Sequence, residues 1–164
     1  MKKLFLVRHA KSDWTYDGLP DIDRPLNERG YRDAHYMSKH LHEKKHLPDA
    51  IITSPAIRAI NTALIFSRNL NFPENKLIIK KGLYDASPEN FITLLAGIDD
   101  AFKSVYVFSH NPTITEVAAI LSNSAIDDMP TCGIVCIEFN STTWKATETA
   151  VFKWFDFPKN HPQH

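Results

Sequence analysis

Arg8, His9, Arg58 and His110 are residue types suited to handling a phosphoryl group, and each stands near the end of an apolar run. Arg8-His9 closes Leu4-Phe5-Leu6-Val7, so a permanent cation and an imidazole appear together where a short buried strand gives way to loop. Arg58 closes Ile52-Thr53-Ser54-Pro55-Ala56-Ile57-Arg58, and His110 lies in Phe108-Ser109-His110-Asn111-Pro112. Guanidinium forks match phosphate oxygens bidentately and stay charged. A cation beside an imidazole disfavours imidazolium, which lowers its pKa and keeps a ring nitrogen free to attack. The implied chemistry is nucleophilic: one histidine attacks phosphorus, a phosphohistidine forms, and water hydrolyses it. The arginines already neutralise the oxygens, and no carboxylate cluster is placed to hold Mg²⁺, so no metal or other cofactor is expected. Taken alone, Arg8-His9 also reads as an ordinary strand end with two exposed polar residues.

These side chains meet only if the elements carrying them end together. After the first strand, residues 10–26 read as a polar loop, with Gly18, Pro20, Pro25 and turn-forming Asp17, Asp21 and Asp23. A helix is predicted after Asn27, with Ala34, Met37, Ser38 and Leu41 on one face. Ala50-Ile51-Ile52-Thr53, Leu77-Ile78-Ile79 and Val105-Tyr106-Val107-Phe108 read as further strands. Ser54-Pro55 reads as an N-cap followed by Pro, opening a helix to about residue 69, and Ser87-Pro88-Glu89 repeats the signal for a helix to about residue 98. Thr113 and Glu116 have capping-box spacing for a helix to about residue 121. Residues 134–139 and about 144–155 read as a terminal strand pair. Strands alternating with helices predict an α/β fold, a three-layer α/β/α arrangement about a mainly parallel sheet. Ligands then bind outside the carboxyl ends of the strands, where helix N-termini add unpaired N–H groups. One domain over residues 1–156 is expected, with a frayed tail over 157–164.

Composition narrows the partners. With 164 residues, and Lys+Arg matching Asp+Glu at 19 each, no overall charge calls for nucleic acid or an anionic membrane. Anion selectivity is local. Cys132 and Cys136 are too few for a disulfide framework and read as reduced, packed thiols. The apolar run after Lys2-Lys3 ends too soon for a leader peptide, and nothing approaches a membrane span, so a cytoplasmic location is expected. His42 and His46 have the spacing of a metal pair on a helix, but no third ligand stands nearby and a solvent-facing role fits better. Trp144 and Trp154 read as sheet packing. Trp14 fits either the substrate approach or packing against its loop, and Asp23-Arg24 fits a loop-ordering ion pair.

Leu6-Val7-Arg8-His9, Pro25-Leu26-Asn27-Glu28-Arg29-Gly30, Thr53-Ser54-Pro55-Ala56-Ile57-Arg58-Ala59 with Thr62-Ala63, and Ser109-His110-Asn111-Pro112 occur in this order. Together they resemble the histidine phosphatase superfamily, which includes cofactor-dependent phosphoglycerate mutase. The short chain and Arg8-His9-Ala10-Lys11-Ser12 look most like its small phosphohistidine phosphatase branch. The resemblance implies a phosphoglycerate mutase-like fold with His9 as nucleophile. It implies that Arg8, Arg58, His110 and the Asn111 backbone hold the phosphoryl oxygens, with Thr15 where several relatives place a phosphate-contacting Asn. Gly usually follows the nucleophile in this superfamily; Ala10 is acceptable there at negative φ. Mutase-like members carry an acidic proton donor near Leu83-Tyr84-Asp85, and Asp85 is both a shortened candidate acid and a plausible turn residue. A weak acid suits the P–N bond of phosphohistidine, whose imidazole leaves readily once protonated, better than a P–O monoester. The substrate expected is therefore a phosphohistidine protein of phosphorelay or phosphotransfer type, reached through a pocket without the long lid insertions of larger relatives. A small-molecule or sugar phosphomonoesterase with the same core is the alternative, and a non-catalytic phosphate- or phosphoprotein-binding module is a third reading.

Overall fold

The computed structural model describes residues 1–162. Six strands form one sheet: β1 (Lys2–Arg8), β2 (Ala50–Thr53), β3 (Ile78–Ile79), β4 (Ser104–Ser109), β5 (Ile134–Phe139) and β6 (Ala150–Asp156). Their order is β3-β2-β4-β1-β5-β6. The first four strands are mutually parallel, and β5 runs antiparallel to β1 and β6. Helices α1 (Glu28–Glu43), α2 (Ile57–Asn69), α3 (Pro88–Ala96) and α4 (Thr113–Ser122) complete the α/β/α layers.

Strand alternation explains the layering. Phe5, Val7, Ile51, Tyr106 and Phe108 face Ala34, Met37 and Leu41 of α1 and Ala63 and Phe66 of α2. Leu4, Leu6, Ile52, Val105 and Val107 instead pack with Phe91 and Leu95 of α3 and Ile114 and Val117 of α4. A strand buried on both faces reads as a continuous apolar run, which is why β1 was legible. No helix among the described residues is long and apolar enough to cross a membrane.

Several local expectations are corrected. Ser54 does not cap α2: Ala56 occupies the N-cap without a side-chain bond, and the Ser54 hydroxyl is engaged by His110. The capping box at Thr113 does not form, because its Oγ1 donates to the Ala86 carbonyl at 2.7 Å. Trp144 lies in the β5–β6 connection rather than on a strand. It is fully buried, its indole N–H donates to the Phe102 carbonyl, and it packs edge-on against Phe139. The segment from Phe157, read from sequence as a tail, carries local structure. Pro158–Asn160 forms a 3-10 turn, Pro158 is buried, and His161 bonds Asp156. His164 lies outside the described residues.

Helix α1 begins hard against the chain that follows His9. Asn27 caps it by accepting from the Gly30 N–H, and the Asn27 N–H donates to the Lys11 carbonyl. A methyl group on Gly30 would overlap that carbonyl oxygen. Gly30→Ala would gain about 1 kcal/mol of helix propensity on an open surface. Here the backbone overlap outweighs it, so a net loss of at least about 2 kcal/mol is expected in urea unfolding.

Candidate active site

The carboxyl ends of β1, β2 and β4 share one rim. Arg8 stands opposite Ser109, and Thr53 opposite Phe108, so the residues that follow each strand enter the same space. His9 is tied there on both sides: its N–H donates to the Ser109 carbonyl, and its own carbonyl accepts from Cys132. The next residue, Ala10, has no positive φ, is fully buried, and donates its N–H to Thr62 Oγ1 of α2. Alanine is thus tolerated where glycine was the family norm.

The tautomer of His9 follows from one bond. Its Nδ1 lies 2.8 Å from the Ala10 carbonyl oxygen, which can only accept, so Nδ1 carries the proton and Nε2 the lone pair. Burial lowers the His9 pKa to about 3, against the Ala10 bond, with His110, Arg58 and Arg8 pushing the same way as burial. His110 is lowered to about 4 by burial and by Arg58, against Asp21. Both rings are neutral at pH 7, with centroids 5.2 Å apart.

The other groups are donors. Among the described residues, the buried side-chain nitrogens and oxygens without a partner are Arg8 Nε, Arg58 Nε and His110 Nδ1. Leaving a buried donor unmade costs about 1–3 kcal/mol, and more for a charged group, so three of them around one imidazole mark a place for an anion. His110 Nε2 is 2.7 Å from Ser54 Oγ, which itself accepts a long 3.3 Å bond from the Ala56 N–H. Nε2 is the acceptor within reach of this buried hydroxyl, so the hydroxyl proton goes to Nε2 and the His110 proton to the unpartnered Nδ1.

Asp21, read from sequence as a turn former, organises the arginines. Its carboxylate accepts from Arg24 Nε and Nη2, from Arg58 Nη2 and from the Tyr84 hydroxyl, while its backbone carbonyl accepts from Arg58 Nη1 at 2.7 Å. Burial alone would raise the Asp21 pKa, but the Tyr84, Arg24 and Arg58 bonds outweigh it and hold it well below the usual carboxylate range. Arg58 therefore has two nitrogens anchored and its Nε left over. Arg24 pairs with Asp21 rather than Asp23, and its guanidinium lies 3.5 Å over the exposed Trp14 ring. Arg8 is held through Nη1 by the Met129 carbonyl. That carbonyl also accepts from Asn111 Nδ2, which donates to Asp128 as well, so the Asn111 side chain is engaged beside the arginine.

Two expected residues are exposed and show no hydrogen bond to this group. Thr15 is exposed, with its N–H and hydroxyl both donated to Asp13 Oδ1 at 2.7 Å. Asp85 is exposed in a turn at φ 56, and Tyr84 is the side chain from that turn that meets His110, edge to face at 5.6 Å. His42 and His46 do not form a pair. Helix α1 ends at Glu43; His42 bonds Asn71, while His46 packs on Phe5 and Trp154. Cys132 and Cys136 are buried free thiols.

The depressed imidazole pKa values carry a stability consequence. Free histidine titrates near 6.5, so above that pH folded and unfolded chains are both neutral at His9 and His110. As pH falls below 6.5 the unfolded chain takes up protons first, and stability declines until the folded-state values near 4 and 3 are reached. Urea midpoints should drop between pH 7 and pH 4, and His110→Gln should flatten that drop.

Comparison with known proteins gives the chain a family and a fold. A model of the histidine phosphatase superfamily (branch 1) matches residues 4–91. An uncharacterised protein of Mycobacterium tuberculosis is 32% identical over 117 residues, 71% of this chain and 70% of that protein. The fold is similar to that of the protein histidine phosphatase SixA complexed with tungstate, with TM-score 0.84 and 23% identity over 96% of this chain and 98% of that one. It is also similar to mycobacterial glucosyl-3-phosphoglycerate phosphatase complexed with VO3, with TM-score 0.68 and 15% identity over 95% and 98% of the two chains. By its motifs, its fold and the match over residues 4–91, the chain belongs to branch 1 of the histidine phosphatase superfamily and is a phosphatase.

Proposed function

We propose that this phosphatase hydrolyses phosphohistidine on a protein, with His9 as the residue that is transiently phosphorylated. The observation that carries the reaction is the set of three buried, unpartnered donors around a neutral imidazole whose Nε2 lone pair is free. Nε2 attacks phosphorus, the substrate P–N bond breaks, and its electron pair leaves with the protonated substrate ring. Arg8 Nε, Arg58 Nε and His110 Nδ1 donate to the phosphoryl oxygens as charge gathers there. The Ala10 carbonyl, bonded to Nδ1–H, steadies the positive charge that the His9 ring acquires. Water then attacks the phosphorus of phospho-His9, the P–Nε2 bond breaks with its electrons returning to the ring, and phosphate departs.

The substrate class rests on the leaving group. An alkoxide needs a strong proton donor, whereas an imidazole departs once its ring is protonated. Asp85 stands exposed in its turn and bonds none of the groups around His9. Because Asn adopts the same left-handed backbone readily, Asp85→Asn tests the acid without disturbing the turn. Phosphohistidine hydrolysis by this variant is expected within about tenfold of the parent, roughly 1.4 kcal/mol. A loss of several hundredfold would make Asp85 the acid and favour a phosphomonoesterase. The direct test is one turnover panel containing a phosphohistidine protein, phosphoramidate, and sugar and glycerate phosphate esters. P–N substrates should lead; a clear preference for esters overturns the substrate reading and leaves the His9 chemistry intact.

A further inference from the structure

A second constellation lies where the C-terminal segment returns to α1. Asp156 ends β6, and His161 follows the turn Pro158–Asn160. The Phe157 N–H and Asn160 Nδ2 donate to Asp156 Oδ1 at 2.9 and 3.1 Å, which holds the carboxylate in place. Two imidazoles from different parts of the chain approach its other oxygen. His161 Nε2 lies 2.9 Å from Oδ2 and 3.0 Å from Oδ1, and His40 Nε2 from α1 lies 3.8 Å from the same Oδ2. The ring centroids are 4.7 Å apart, and Tyr36 packs beside both. The three ligand atoms all fall within 4.8 Å of one another.

Hydrogen bonding accounts for His161 and leaves His40, at 3.8 Å, beyond a hydrogen bond and near the outer limit of an ion pair. A cation accounts for both. Zinc with nitrogen and oxygen ligands at about 2.0–2.2 Å in a tetrahedron sets ligand atoms roughly 3.3–3.6 Å apart. The separations from Oδ2, 2.9 and 3.8 Å, bracket that range, so small side-chain rotations close the site. The carboxylate also has the outer support that such ligands need, through Phe157 and Asn160. Side-chain exposures of 23% at His40, 18% at Asp156 and 21% at His161 leave room for a water as the fourth ligand.

We propose that His40, Asp156 and His161 form a binding site for one zinc-like divalent cation, which clips the C-terminal segment to helix α1. Two neutral imidazoles with one carboxylate suit Zn²⁺ and its neighbours Co²⁺ and Ni²⁺, whereas Mg²⁺ and Ca²⁺ seek oxygen sets. The site is distinct from the phosphoryl site, whose imidazoles are His9 and His110, and its role is structural.

The test uses full-length protein, stripped with chelator and titrated with ZnCl₂ by calorimetry and with CoCl₂ by absorption. One saturable site, the visible bands of four-coordinate cobalt, and zinc-slowed trypsin cleavage after Lys159 are expected. His40→Ala should weaken zinc at least about tenfold, of the order that even outer ligand partners contribute. His161→Gln retains a hydrogen bond to Asp156 without the imidazole. It should melt like the parent when metal-free, lose zinc binding, and keep phosphatase activity. His9→Ala and His42→Ala should bind zinc as the parent does. Unchanged zinc affinity in the combined His40→Ala, His161→Gln protein overturns the proposal, as does the absence of saturable binding in the parent. Neither result touches the phosphatase reading, which is scored by turnover.

Discussion

Replacing His9 with alanine should lower kcat by at least about 10⁴-fold, because the proposed pathway loses its nucleophile rather than one of several donors. Water would have to attack the substrate directly, without the split into two easier displacements. The donors remain in the variant, so an inorganic oxyanion such as tungstate should still bind within about tenfold of the parent affinity. That pairing separates lost chemistry from lost structure. Parent protein mixed with ³²P-labelled substrate and quenched in alkaline detergent should yield acid-labile, alkali-stable label on His9 and none in the variant. Undiminished turnover without the imidazole, or label on another residue, would refute the assignment. A protein that binds phosphoprotein without turnover would give no label at all.

Arg58→Ala should lower kcat/KM by about 10³-fold, roughly 4 kcal/mol, the scale of removing a preorganised donor to a developing anion. Arg58 is buried, with Nη1 and Nη2 fixed on Asp21 and Nε unpartnered. Removing it discards that donor and strands the Asp21 carboxylate with fewer partners. Arg58→Lys should recover little, since a single ammonium cannot hold Asp21 in two places while also meeting a phosphoryl oxygen. Asp21→Asn keeps the cation but loosens its anchor, and a smaller loss of about tenfold is expected. If the lysine variant matched the parent, charge alone would suffice and the fixed fork would be irrelevant.

Residues whose role is set by their immediate neighbours were legible beforehand. Helix α1 begins after Asn27 and Ser87 caps α3 as their local sequence predicts, and the apolar stretches of β1, β2, β4 and β5 are buried strands. Ser54 and Thr113 failed as caps for one common reason. A hydroxyl takes whichever partner the fold delivers, and here these were His110 and the Ala86 carbonyl. The same applies to Asp21 among Asp17, Asp21 and Asp23. Nothing local distinguishes the carboxylate that reaches Arg58, 37 positions away, from its turn-forming neighbours.

The order of strands and helices, the apolar faces and the identities of Arg8, His9, Arg58 and His110 were decided by the chain itself. They depend on periodicity and on residue chemistry, both of which are written locally. Tertiary structure alone decided which atoms those residues offer. The Ala10 carbonyl selects the His9 tautomer, Asp21 turns the Arg58 Nε free, and Ser54 orients His110. It also decided that His40, not His42 or His46, meets Asp156 and His161. Such pairings depend on where the chain path closes in space, and sequence separation carries no record of that path.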